Sequence, residues 1–123
     1  MVEALPLVGI GIDTISWNRA KRFLQEHPFS SVQRLLTPLE QNQFKKTPSP
    51  LNFFARSLAA KEAYFKALGG AWMGEAGFRA IEVKMEEDRF QVPGRYATEG
   101  TFSETEKGVI ARIVVTRRQD DEQ

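Results

Sequence analysis

The segment Leu7-Val8-Gly9-Ile10-Gly11-Ile12-Asp13 constrains the fold more than any other part of this chain. Branched apolar residues interleaved with glycine predict a strand, and the glycines predict that another backbone lies close to it. The strand ends on a carboxylate, Asp13. Gly9 and Gly11 would suit a dinucleotide-binding fingerprint, but that motif needs a third glycine at position 14, where Thr14 stands. That reading is excluded.

A second segment supplies a surface for the strand to approach. The longest helix is predicted from about Leu51 to Leu68, closed by Gly69-Gly70. At about 100° per residue, Ala55, Ala59, Glu62 and Lys66 share one helical face, so a carboxylate is flanked by small residues. A first, amphipathic helix is predicted from about Ser16 to Gln25, with Trp17, Ala20, Phe23 and Leu24 at helical spacing and Arg19, Lys21 and Arg22 between them. Pro28 stops it, and residues 30–36 suit a short turn or helix. Thr37-Pro38-Leu39-Glu40 then forms a capping box with proline at the first helical position. Thr47-Pro48-Ser49-Pro50 separates that helix from the long one.

After Gly77 the pattern changes. Phe78 to Met85 alternates apolar and polar residues, which predicts a half-exposed strand. Arg89 to Val92 can pair with it, Pro93-Gly94 marks a turn, and the β-branched run Val109 to Thr116 predicts a central strand. A strand, then helices, then several strands predict an α+β fold, with one domain over residues 1–118 and a frayed polar tail over 119–123. A chain of 123 residues has room for one core. Seventeen basic and sixteen acidic residues leave a net charge of +1, so nothing global favours nucleic acid and any anion site must be local. The chain has no cysteine, which excludes disulfides, zinc–thiolate sites and thiol catalysis and suits a reducing cytoplasm. The apolar stretch Leu5 to Ile12 is broken by Pro6 and two glycines, so neither a signal peptide nor a membrane anchor is expected.

If the glycine strand meets the small-residue face, the Asp13 carboxylate approaches that of Glu62. Two carboxylates sharing a site repel unless one is protonated or a cation lies between them, and an all-oxygen pair favours magnesium or calcium. Lys66, one turn after Glu62, and Lys61 beside it would place ammonium groups near a bound phosphate, which suits phosphoryl transfer. Spacing alone also allows a plainer arrangement, with Glu62 and Lys66 as an exposed helix pair and Asp13 capping the next helix. His27, the only histidine, is expected at the surface. Trp72, Phe78 and Phe102 could line an apolar ligand groove, but core packing explains them better.

Two segments taken together favour the site. Gly9-Ile10-Gly11-Ile12-Asp13 followed by Arg19, and Ala59-Ala60-Lys61-Glu62-Ala63-Tyr64-Phe65-Lys66-Ala67-Leu68-Gly69, resemble the holo-acyl-carrier-protein synthase family of 4'-phosphopantetheinyl transferases. Arg34 to Glu40 resembles the family's segment between helices, and Gly100 to Val115 fits its closing strand pair. The resemblance implies transfer of the 4'-phosphopantetheine arm from coenzyme A to a serine of an apo acyl carrier protein, leaving adenosine 3',5'-bisphosphate. It implies Asp13 and Glu62 as magnesium ligands and catalytic residues, and coenzyme A contacts from Lys66, Lys61, Arg56, Gly69 and Thr105. It also implies that Arg19, with Arg22 and Arg34 beside it, meets an acidic helix of the carrier, and that the protein is a homotrimer with active sites between subunits. Glu62, directly or through a metal-bound water, is expected to take the proton of the carrier serine.

Three places depart from the family pattern. Ser57 stands where arginine is usual, with Arg56 one residue earlier and about 100° round the helix. Ser103-Glu104-Thr105 replaces serine-histidine-threonine and puts an anion where a phosphate neighbour is expected. The usual glycine-lysine-proline turn is replaced by Arg89-Phe90-Gln91-Val92-Pro93-Gly94. The competing readings are a protein that binds a carrier without modifying it and a magnesium enzyme acting on another pyrophosphate.

Overall fold

The computed structural model describes residues 6–70 and 74–118; the tail over 119–123 and Trp72 lie outside them. The chain opens with strand β1 (Leu7–Ser16) and continues through α1 (Trp17–Glu26), α2 (Phe29–Gln33), α3 (Pro38–Lys46) and α4 (Pro50–Ala67). A short helix α5 (Gly74–Ala80) leads into β2 (Lys84–Glu86), β3 (Arg89–Gln91), β4 (Ala97–Glu104) and β5 (Gly108–Thr116). The strands form one antiparallel sheet in the order β1-β5-β4-β3-β2. The first strand therefore pairs with the last, and α4 packs against both. This is the expected α+β fold.

Burial alternates along β1, with Gly11, Asp13 and Ile15 turned inward and Ile10, Ile12 and Thr14 outward. A Cβ on Gly9 would stand 1.8 Å from the Ala67 carbonyl oxygen, and one on Gly11 would stand 1.8 Å from that of Ala63. Strand and helix thus meet backbone to backbone, which is what the alternating glycines require and what brings Asp13 against α4. Gly11→Ala must push the helix off the strand, and we expect a loss of about 3 kcal/mol. Urea denaturation measures this; a variant as stable as the parent contradicts the packing.

The helix starts obey local chemistry. The Ser16 hydroxyl accepts from Arg19 N at 3.0 Å, and Thr37 and Glu40 form a reciprocal capping box, Thr37 Oγ1 accepting from Glu40 N at 3.2 Å and Glu40 Oε1 from Thr37 N at 2.9 Å. The strand predicted from Phe78 does not form there. Phe78 belongs to α5, where its ring meets Phe65 edge-on at 5.3 Å between centroids, and the strand begins only at Lys84. A few alternating residues are also compatible with the end of a helix that inserts one aromatic into the core. Phe102 is likewise buried in the core, packed on Phe90. Among the described residues no helix is long and apolar enough to cross a membrane.

Candidate active site

The close contact of β1 and α4 sets Asp13 beside Glu62 and Lys66. Lys66 Nζ donates to Asp13 Oδ1 at 2.5 Å and lies 3.4 Å from the Ile12 carbonyl oxygen. This bond raises the pKa of Lys66, so its ammonium stays charged. Asp13 is only 9% exposed, and its Oδ2 is buried without a hydrogen-bond partner. Burial first, then a hydrogen bond with Asp13 and the negative charge of that group, push the Glu62 carboxyl up to about 8, while Arg19 and Lys66 act in the opposite sense. The two carboxyl groups are close enough to share a proton once one is protonated.

That pair is chemically unfinished. It offers two inward carboxyl groups, one ammonium bonded to a single oxygen, and an orphaned Oδ2. A divalent cation would replace the shared proton and satisfy that oxygen, and an all-oxygen pair suits magnesium, which completes its shell with waters and substrate phosphates. Among the described residues no group of three or more His, Cys, Asp and Glu gathers as a closed metal cage.

Glu62 also forms part of the wall of a groove of about 470 Å³ between α1, α2, α4 and α5. Phe23, Leu35, Leu58 and Phe78 make it apolar, and Arg19 and Arg22 lie on its α1 side. A ligand in this groove meets the guanidinium groups of Arg19 and Arg22 and the carboxyl groups of Glu26 and Glu62. Arg34 caps the end of α2 and is not part of the groove wall. His27 is exposed as expected, stacked on Phe23 at 4.0 Å with Nδ1 3.0 Å from the Phe23 carbonyl oxygen.

Lys61 requires a correction. Expected at the coenzyme A phosphates, it points into the core with no exposed surface and all three N–H bonds used. Its Nζ donates to Glu40 Oε1 at 2.6 Å, to the Leu35 carbonyl at 2.8 Å and to the Phe78 carbonyl at 2.8 Å. Burial lowers its pKa, and Glu40, with Glu82 behind it, pulls the other way. Neighbours on a helix point about 100° apart, so Lys61 cannot follow Glu62 to the same site. Glu40 completes this network through Oε2, which accepts from Val83 N at 2.7 Å. Sequence reasoning saw Glu40 only as a helix cap and missed its place beneath the site.

Arg56 stands six residues before Glu62 and about 120° round α4 from it, and its guanidinium is occupied. Nε donates to Glu104 Oε1 at 2.7 Å, Nη1 to the Glu87 carbonyl at 2.6 Å and Nη2 to Asp88 Oδ1 at 3.2 Å. Glu104 is therefore not left as a bare anion. Thr105 shapes the β4–β5 turn: its N donates to the Gly108 carbonyl at 2.8 Å, and its hydroxyl accepts from Lys107 N at 3.1 Å and Gly108 N at 3.3 Å. Its carbonyl accepts from Trp17 Nε1 at 3.0 Å. Gly69 follows α4 with φ +107°, a conformation that favours glycine, and is exposed beyond Lys66.

Fold and site together define a known class. The pattern of the 4'-phosphopantetheinyl transferase superfamily matches residues 9–114, and the chain belongs to that superfamily. Within it, a holo-[acyl-carrier-protein] synthase of Neisseria meningitidis serogroup A is 36% identical over 77 residues, which is 63% of this chain and 62% of the relative. The matched part thus spans a little under two thirds of that relative's length. A solved holo-(acyl-carrier-protein) synthase from Bacillus anthracis, in complex with CoA (3',5'-ADP), superposes with a TM-score of 0.76 at 31% identity, covering 94% of this chain and all of the other. The Neisseria meningitidis synthase structure gives 0.80 at 27% identity, covering 90% and 99%.

Proposed function

We propose that this chain is a magnesium-dependent cytoplasmic holo-acyl-carrier-protein synthase, transferring 4'-phosphopantetheine from coenzyme A to a serine of an apo acyl carrier protein. The observation that carries this is the buried Asp13 carboxylate, whose Oδ2 has no donor while both groups are ionised, beside a Glu62 carboxyl raised to about 8, with Lys66 bonded to Asp13 Oδ1. Membership of the superfamily and the named activity of its relatives support it.

Asp13 and Glu62 would hold magnesium, which when bound would offset the charge of the pyrophosphate. Lys66 lies beside that charge and would bind a phosphate oxygen. Glu62 would accept the proton that the serine hydroxyl loses as its oxygen attacks the phosphorus bearing pantetheine. Arg19 and Arg22 would steer an acidic carrier helix to the groove. Coenzyme A would lie along α4, its pyrophosphate at Glu62 and Lys66 and its adenosine end towards Arg56 and Thr105.

Proton linkage tests the metal assignment. A carboxyl raised from 4.5 to about 8 by folding stabilises the metal-free protein fully below about pH 4.5, and that contribution is lost as pH rises to about 8. Magnesium competes with the same proton, so its affinity should rise with pH and level off above about 8. Titration calorimetry in buffers of different ionisation enthalpy should show about one proton released per magnesium near pH 6 and almost none near pH 9. A pH-independent affinity contradicts the assignment.

The outer face of the sheet supports assembly. Ile10 (61% exposed), Ile12 (53%) and Val114 (40%) lie on it, Ile10 directly paired with Val114. The exposed apolar residues on this face, bordered by Arg112 opposite Ile12 and Glu99 opposite Val114, suit burial against further copies, here in a homotrimer. Light scattering should report a trimer at micromolar concentration and a smaller species for Ile12→Glu. A monomeric parent contradicts the assembly.

A further inference from the structure

Two walls of the groove between α1, α2, α4 and α5 come from parts of the chain that lie outside the sheet. Leu35 sits in the turn between α2 and α3, and Phe78 in the short helix α5, from which residues 81–83 run to β2 outside any strand. One buried nitrogen holds both. Lys61 Nζ donates to the main-chain carbonyl oxygens of Leu35 and Phe78, each at 2.8 Å, and its third N–H goes to Glu40 Oε1 at 2.6 Å. An ammonium has the three donors that these bonds require. Lys61 and Glu40 have no exposed surface, so the bonds are shielded from water.

Glu40 fastens the same two segments further. Its Oε2 accepts from Val83 N at 2.7 Å and its Oε1 from Thr37 N at 2.9 Å, while the Thr37 hydroxyl donates to Glu82 Oε1 at 3.0 Å. The chain after Phe78 and the turn around Leu35 are thus tied to one another through Lys61 and Glu40. The carboxyl pair is set by a different device, the backbone contact of Gly9 and Gly11 with Ala67 and Ala63, and none of the Lys61 bonds reaches it. Loosening the Lys61 network should therefore change the groove and leave Asp13, Glu62 and Lys66 in place.

We propose that Lys61 is a positioning residue for the carrier substrate: by holding the Leu35 and Phe78 walls at a fixed spacing it sets how well an apo carrier protein fits the groove, and it touches neither substrate. This rests on the transferase function proposed above, in which Arg19 and Arg22 steer the carrier to that groove. A role in stability alone would weaken both substrates alike. A role in positioning separates them, with carrier recognition lost and donor recognition spared.

The test measures kcat and the KM values for an apo carrier and for coenzyme A, in the parent and in the Lys61→Met, Glu40→Gln double variant, at a temperature where circular dichroism shows both folded. The carrier KM should rise about fivefold, the equivalent of one lost hydrogen bond, with kcat and the coenzyme A KM within about threefold of the parent. Leu35→Ala, which trims one wall directly, should also raise the carrier KM, but by less in the double-variant background than in the parent, because both changes act on the same wall. Should Lys61→Met with Glu40→Gln not fold, Lys61→Gln with Glu40→Gln, which keeps neutral donors at the same place, takes over the comparison with the same expected split. An unmoved carrier KM, a coenzyme A KM that rises in step with it, or effects that simply add to those of Leu35→Ala overturn the proposal. Transfer to no carrier by the parent overturns the transferase function instead, and the ratio is then read from calorimetric binding of the apo carrier. A parent that binds no carrier overturns the positioning role as well.

Discussion

Glu62→Gln should reduce phosphopantetheine transfer by about a thousandfold or more, since it removes both a metal ligand and the proton acceptor at nearly constant volume. The fold should survive. Glu62 is held in its neutral form up to about pH 8 in the metal-free protein, and glutamine mimics that form. The variant's stability should therefore match the parent below about pH 4.5, pull ahead as pH rises from there to about 8, and keep that margin above it. Magnesium should no longer stabilise the variant. Near-parental transfer by Glu62→Gln would remove the metal and proton-transfer roles together.

Lys61→Met should be the most destabilising single change at the centre of the molecule. It leaves Glu40, which has no exposed surface, without its cation, and deprives the Leu35 and Phe78 carbonyls of a donor. Breaking one partner of a buried pair costs about 3–5 kcal/mol, a large share of the stability of a domain this size. Adding Glu40→Gln removes the buried charge and should restore part of the loss, as read by urea denaturation. Because Lys61 faces the core, the double variant should bind coenzyme A within about threefold of the parent; a larger loss would return Lys61 to the phosphates.

The segments that position the site were readable before any coordinates. Gly9 and Gly11 announced a backbone contact because only a missing side chain allows one, but the residues they meet are Ala63 and Ala67, not the Ala55 and Ala59 of the face that the spacing picked out. The Thr37–Glu40 capping box was equally plain, because its chemistry is local. Other features were hidden because they depend on direction and distant partners. Lys61 and Glu62 are adjacent in the chain but project to different sides of α4, and nothing in the motif says which neighbour waits on each side. Arg56 and Glu104 are 48 positions apart, so their pairing arises only when β4 is laid beside α4. Phe78 was misread because its alternating neighbours suited a strand while the aromatic ring served to seal α5 onto Phe65.

The central claim is transfer of the phosphopantetheine arm. Purified protein should be incubated with magnesium, coenzyme A and a panel of apo acyl carrier proteins, and each carrier then weighed intact. The prediction is a carrier heavier by one phosphopantetheine group, dependent on magnesium and absent with Glu62→Gln. Unmodified carriers throughout, from a protein that binds neither magnesium nor coenzyme A, would contradict it.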